Sequence, residues 1–137
     1  MIPLTLDASV IVRWFHPTLE EADLRKAQAL RQAYAEDRIA LFLPPHWRAE
    51  VAAVLSRLSG AAAQRDVADL CLLDVETLDS AETYVHATRL AASLSQHVFD
   101  TLYHAVALAV PGCRLITADT RYLARSGRIV HLSDWSD

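Results

Sequence analysis

The chain has 137 residues, 53% of them hydrophobic and 22% charged, with a formal net charge of −4. That is long enough for one domain with a real core, too apolar for a disordered chain, and without the basic excess of a dedicated nucleic-acid-binding surface. No apolar run reaches the roughly 18 residues of a membrane span, and no basic segment precedes the apolar start, so a soluble cytoplasmic protein is expected.

In chain order, residues 2–6 read as a buried strand ending at Asp7, with a helix opening near Ser9. "TLEEADLRKAQALRQAYAED" predicts a helix over 18–36, with Thr18 and Glu21 at capping-box spacing and Leu24, Ala27, Leu30 and Ala35 on its apolar face. "IALFL" (39–43) is a short strand stopped by Pro44-Pro45, "HWRAEVAAVLSRL" a helix closed by Gly60, and 61–73 a further helix. "VETLD" is a short strand or a connection, and Asp79 and Glu82 have the spacing of a cap on a helix reaching Leu94. "FDTLYHAVALAV" is a core helix stopped by Pro111-Gly112. "RLITAD" is a strand, "TRYLARSG" a short helix and "RIVHL" a last strand. There is no repeat, low-complexity tract or Gly/Ser linker, so 1–137 reads as one domain. Strands alternating with helices predict a mainly parallel sheet in a three-layer α/β/α sandwich. Cys71 and Cys113 lack metal-ligand spacing and read as two buried free thiols.

Four acids stand where apolar neighbours predict burial. Asp7 ends the first strand and Asp119 follows "LITA" at the end of a late one. Parallel strands gather their C-terminal ends at one edge of the sheet, so these two distant residues are candidates for neighbours in space. Glu50 lies on the margin of a stripe formed by Trp47, Val51, Val54, Leu55 and Leu58, at about 100° per residue. Asp100 sits near the start of the core helix, on the face of Tyr103, His104 and Ala107, where the helix dipole favours a negative charge. Each has an ordinary alternative: Asp7 and Asp119 as helix caps, Glu50 as a half-exposed helix residue, Asp100 as a helix-start acid. Taken together they predict a cluster. Crowded carboxylates repel one another, and a hard divalent cation with oxygen ligands and retained waters relieves that repulsion.

The elements "LDASVIVRWF", "PPHWRAEVAAVL", "VFDTLYHAVALA" and "LITADTRYL", in this order over essentially the full length, resemble the PIN-domain ribonucleases. Within them they are most similar to the VapC toxins of prokaryotic toxin–antitoxin pairs. The resemblance implies an α/β/α fold and Mg²⁺- or Mn²⁺-dependent hydrolysis of RNA phosphodiesters. It implies metal binding by Asp7, Asp100 and Asp119, a ligand or water-orienting role for Glu50, and support from the hydroxyls of Ser9 and Thr117. Where some relatives carry one more acid this chain has Arg121, which leaves one ion or two open. A small cognate antitoxin and a homodimer are the partners implied.

Arg121, Arg125 and Arg128 follow Asp119 closely and are candidate phosphate contacts, with ordinary surface arginines as the alternative. Arg48 is a weaker candidate. The histidines show no metal spacing; His104, one turn after Asp100, reads as a core histidine. Two other Asp-after-strand enzyme classes fit poorly. A haloacid-dehalogenase-like phosphatase needs an acid where Ser9 stands and a lysine near the site. A receiver-like domain needs a lysine after a late strand, yet Lys26 is the only lysine and lies in an amphipathic helix. The non-enzymatic alternative is a catalytically inactive PIN-like module that binds a partner or scaffolds RNA.

Overall fold

β1 (Ile2–Leu6) is the middle strand of a parallel sheet, flanked by β2 (Ile39–Leu43) and β4 (Arg114–Thr117), with β3 (Glu76–Thr77) and β5 (Ile129–His131) at the edges in the order β3-β2-β1-β4-β5. The computed structural model describes residues 1–16, 21–125 and 128–136, apart from the side chains of residues 21, 22 and 123–125. A strand covered on both faces has no wet side, which is why Leu4, Leu6, Leu41, Leu43, Leu115 and Ile116 are all buried. Thr5 is the polar exception in β1, and its hydroxyl donates to the Phe42 carbonyl at 2.8 Å.

Between β1 and β2 run α1 (Ala8–Phe15) and α2 (Glu21–Ala35); between β2 and β3 run α3 (Trp47–Leu58) and α4 (Ala63–Leu70). Both connections step in one direction across the sheet. The connection from β3 to β4, through α5 (Ala81–Leu94) and α6 (Val98–Ala109), steps back the other way. With right-handed crossovers this reversal puts α5 and α6 on the opposite face, completing the α/β/α sandwich. α6 lies against β1, β2 and β4, with α5 packed on it, and Thr101 to Ala107 are buried without a break. A helix that is apolar nearly all round requires such a place.

Local chemistry differs from the sequence expectation at several points. Ser80, not Asp79, caps α5: its Oγ accepts from the Thr83 amide at 3.3 Å. The helix expected over 61–73 is a 3₁₀ turn, Gly60–Ala62, followed by the shorter α4. The short helix expected at "TRYLARSG" is present as a 3₁₀ helix, Thr120–Arg125. Thr18, and with it the expected cap of α2, lies outside the described residues. Cys113 is buried as expected, but Cys71 is exposed, because α4 ends at Leu70 and the chain turns there with its side toward solvent. Lys26 donates to the Trp135 carbonyl at 2.6 Å, tying α2 to the C-terminal segment and giving the only lysine a structural task.

Candidate active site

The strand order reverses beside β1, so the crevice where ligands bind in open α/β sheets opens beyond the C-terminal ends of β1 and β4. Leu6 is paired with Ile116, and the Asp7 amide continues the ladder by donating to the Ile116 carbonyl at 3.3 Å. Asp7 is therefore held beside the residues that leave β4. A cleft of about 720 Å³ at this edge is lined by Asp7, Ser9, Glu50, Asp100, Asp119 and Arg121, together with Arg13 and Arg57.

Asp7 stands at the N-cap position of α1 but its carboxylate makes no capping bond. Instead Oδ1 accepts from Ser9 Oγ at 2.5 Å and Oδ2 accepts from Thr117 Oγ1. Each hydroxyl has one proton, and each also accepts a backbone amide: Ala118 N–H on Ser9 and Asp119 N–H on Thr117, both at 3.0 Å. The amides of the loop after β4 are thus relayed through two hydroxyls onto one carboxylate. Burial pushes Asp7 up from 3.8 to about 6 against these bonds, and the Asp100 charge adds to the rise.

Glu50 is in the first turn of α3, whose inner face buries Trp47, Val51 and Leu55. Its Oε1 accepts from Tyr103 Oη at 2.8 Å, and its Oε2 lies 3.9 Å from His46 Nε2. Burial raises its pKa, as do Asp100 and Asp7, while the Tyr103 bond works the other way. Burial and the neighbouring Glu50 also keep the Tyr103 phenol protonated, so it serves as a fixed donor. Burial pushes His46 down and leaves it neutral near pH 7. Asp100, in the first turn of α6, is raised by desolvation and by Asp119. Asp119 differs from the other three. Burial acts to raise it, but the Arg121 side chain and amide outweigh that and hold its carboxyl below the usual range. Arg121 Nε donates to Asp119 Oδ1 at 3.1 Å, as does the Arg121 amide at 3.0 Å, so Asp119 does cap the 3₁₀ helix that follows it.

All four candidate acids therefore face one cleft, with Ser9 and Thr117 supporting Asp7. Among the described residues, however, no three His, Cys, Asp or Glu side chains are grouped closely enough to hold an ion between them. The donor chemistry suits a hard cation that keeps most of its waters and takes one or two carboxylates directly. Burial is the largest cause of the raised pKa values of Asp7, Glu50 and Asp100. Beyond it, Asp100 raises Asp7 and Glu50, Asp7 raises Glu50, and Asp119 raises Asp100, which is the repulsion such a cation would relieve.

Other candidates leave the site. His104 is a core residue whose Nδ1 lies 3.0 Å from Tyr122 Oη. Arg128 donates to the carbonyls of Ala107 and Val110 at the end of α6, so it is a helix-end partner rather than a free phosphate contact. Arg48 lies over the Trp47 ring, 5.0 Å from its centroid. The Arg125 side chain lies outside the described residues. Sequence reasoning missed four contributors. Arg13 is one turn beyond Ser9 on α1, and Arg57 two turns beyond Glu50 on α3. Tyr103 is three residues beyond Asp100, and His46 four before Glu50. Helical spacing from the acids was the signal available for each.

A family model described as the PIN domain matches residues 4–128. Three solved structures share the fold. PAE2754 from Pyrobaculum aerophilum is 18% identical, with a TM-score of 0.65 over 96% of this chain and 90% of that one. VapBC2 from Rickettsia felis, bound to a DNA fragment from its promoter, is 15% identical, with a TM-score of 0.66 over 94% and 96%. DNA-bound VapBC from Salmonella typhimurium is 16% identical, with a TM-score of 0.65 over 96% and 99%. No curated protein matches the chain in sequence.

Proposed function

Because the chain belongs to the PIN-domain family, we propose that it is a metal-dependent endoribonuclease, the toxin of a toxin–antitoxin pair acting in the cytoplasm. The observation that carries this reading is that Asp7, Glu50, Asp100 and Asp119, from four separate elements, line one cleft at the sheet's switch point. Mg²⁺ or Mn²⁺ would be held by Asp7, Asp100 and Asp119, one or two of them directly and the rest through water, and when bound it supplies an activated water and charge stabilisation at the cleaved phosphodiester.

The chain's own groups set up that chemistry. Ser9 and Thr117 fix both Asp7 oxygens, leaving the remaining lone pairs free for a ligand. Tyr103 pins one oxygen of Glu50, so the other is positioned to orient a water, and the raised pKa of Glu50 brings it nearer the range useful to a base. Arg13, Arg57 and Arg121 put positive charge around an acidic floor, which an RNA backbone needs in order to approach. Arg125 is a further phosphate contact in this reading. The toxin assignment draws on likeness of fold to two VapBC assemblies, and with it come a small antitoxin and a homodimer as partners.

The test incubates the purified chain with structured RNAs, with Mn²⁺ or EDTA, beside Asp7→Asn. Internal cleavage that needs the ion and fails in the variant supports the reading; equal cleavage by Asp7→Asn removes it. A short DNA-binding reading frame beside the gene would support the toxin assignment. Two observations favour a second reading, an inactive PIN-like scaffold. Arg121 occupies Asp119, and no three ligating groups stand together among the described residues. Saturable metal binding without cleavage of any RNA would favour that scaffold.

A further inference from the structure

Beside the carboxylates stands a group of rings that the cleavage chemistry does not use. Phe99 immediately precedes Asp100 in the first turn of α6 and is 50% exposed, whereas the helix is continuously buried from Thr101 to Ala107. Leaving a Phe in water forgoes its burial energy, so its setting matters. The ring is held in place. His46 stacks on it with centroids 5.0 Å apart and planes 29° apart, and His97 meets it edge-on at 4.8 Å. The Phe99 amide donates to His97 Nδ1 at 3.0 Å, which fixes the backbone as well.

His46 joins this ring to the candidate site. It meets Tyr103 edge-on at 5.0 Å and approaches Glu50, the two groups bonded to each other at the cleft. His46 thus lies between Phe99 and that pair, its ring stacked on Phe99 and edge-on to Tyr103, with Nε2 3.9 Å from Glu50 Oε2. The result is a rigid, partly open aromatic platform next to Asp100.

The occupant can be argued from size and neighbours. His97 and Asp100, on either side of Phe99, are exposed and polar, so the apolar patch is about one ring wide. That is far below the area of a stable protein interface. It does match one nucleobase, which offers a flat face to an aromatic ring and leaves its polar edges in water. Asp100, the residue after Phe99, lines the cleft together with Arg121, whose side chain is 88% exposed and supplies charge for a nearby phosphate.

We infer that Phe99, backed by His46, is a stacking platform for one unpaired base of an RNA that enters beside Asp100. This rests on the nuclease reading and adds to it a residue that binds the RNA away from the carboxylates. Phe99 touches the base and is a binding residue, with no part in the bond cleavage.

The experiment measures binding of a fluorescein-labelled single-stranded RNA 12-mer and of the matching duplex, in Asp7→Asn protein that leaves the probe intact. Phe99→Ala and Phe99→Leu should each weaken single-strand binding by about 5- to 100-fold. Phe99→Trp should keep the affinity and report it directly. Trp14, Trp47 and Trp135 are buried, so fluorescence quenched by RNA would come from the indole at position 99. In the otherwise wild-type chain, Phe99→Leu should raise KM with kcat unchanged and leave Mn²⁺ binding intact. Unchanged single-strand affinity in Phe99→Leu, or RNA binding to Phe99→Trp without quenching, overturns the platform while the nuclease reading stands. Duplex binding as tight and as dependent on Phe99 overturns the platform, because a paired base has no free face to offer. A wild-type chain that neither binds nor cleaves any RNA overturns both.

Discussion

The two ends of the cleft are built differently. At the Asp7 end a carboxylate sits between two strands, each oxygen accepts a hydroxyl, and each hydroxyl is anchored by a backbone amide. At the Asp119 end a carboxylate on a loop is paired with an arginine whose side chain is 88% exposed. The first arrangement is fixed by the sheet and costs stability, since burial works against the Asp7 charge. The second is a surface ion pair, of a kind worth about 0–1 kcal/mol and easily traded for another partner. A cation or phosphate entering the cleft would meet a rigid ligand on one side and an adaptable one on the other.

The largest effect should come from breaking the rigid end. Asp7→Asn should lower cleavage by more than the roughly 10- to 100-fold typical of losing a metal ligand's supporting partner, measured by initial rates at saturating Mn²⁺. Thr117→Val removes one support and keeps the shape. It should cost about 10- to 100-fold in apparent metal affinity, read from the Mn²⁺ dependence of cleavage. Arg121→Ala acts at the adaptable end and should change that affinity by only a few-fold, in keeping with an exposed pair. A large loss there would show that the two ends are not as different as their geometry indicates.

Asp7 also gives a pH signature. Its folded pKa of about 6 lies above the 3.8 of an exposed Asp, so between those values the folded state keeps a proton that the unfolded state releases. Stability of the metal-free protein should therefore fall as pH rises from about 4 to 6, with the full penalty present above 6, at most about 3 kcal/mol. Asp7→Asn should flatten this slope and raise the metal-free Tm at pH 7, and Mn²⁺ should stabilise the wild type but not the variant. Thermal scans at several pH values, with and without EDTA, measure both.

The fold was legible because buried parallel strands leave apolar runs that Pro and Gly punctuate, and because α6 has no polar face to present to water. The acids were legible in part: strand ends gave Asp7 and Asp119 a location and the margin of an apolar stripe gave Glu50 one. Asp100, whose apolar neighbours predict burial, is exposed because it stands in the first turn of α6 before the buried run begins. Pairings made only through space were not. Tyr103 and Glu50 are 53 residues apart and meet because α3 and α6 converge at the cleft, which no local spacing encodes. Arg13 and Arg57 line the cleft only because α1 and α3 both start at its edge. Asp79 and Ser80 are both good caps, and the backbone path at the start of α5 decided between them. Arg121 was visible as a cation, but its engagement with Asp119 depends on the turn that brings it back.

Calorimetric titration of the metal-free protein with Mn²⁺ tests the central claim most directly. Saturable binding that disappears in Asp7→Asn and weakens in both Asp100→Asn and Asp119→Asn is the expected result. Binding that ignores all three substitutions, or no saturable binding at all, would contradict a shared cation site at the ends of β1 and β4.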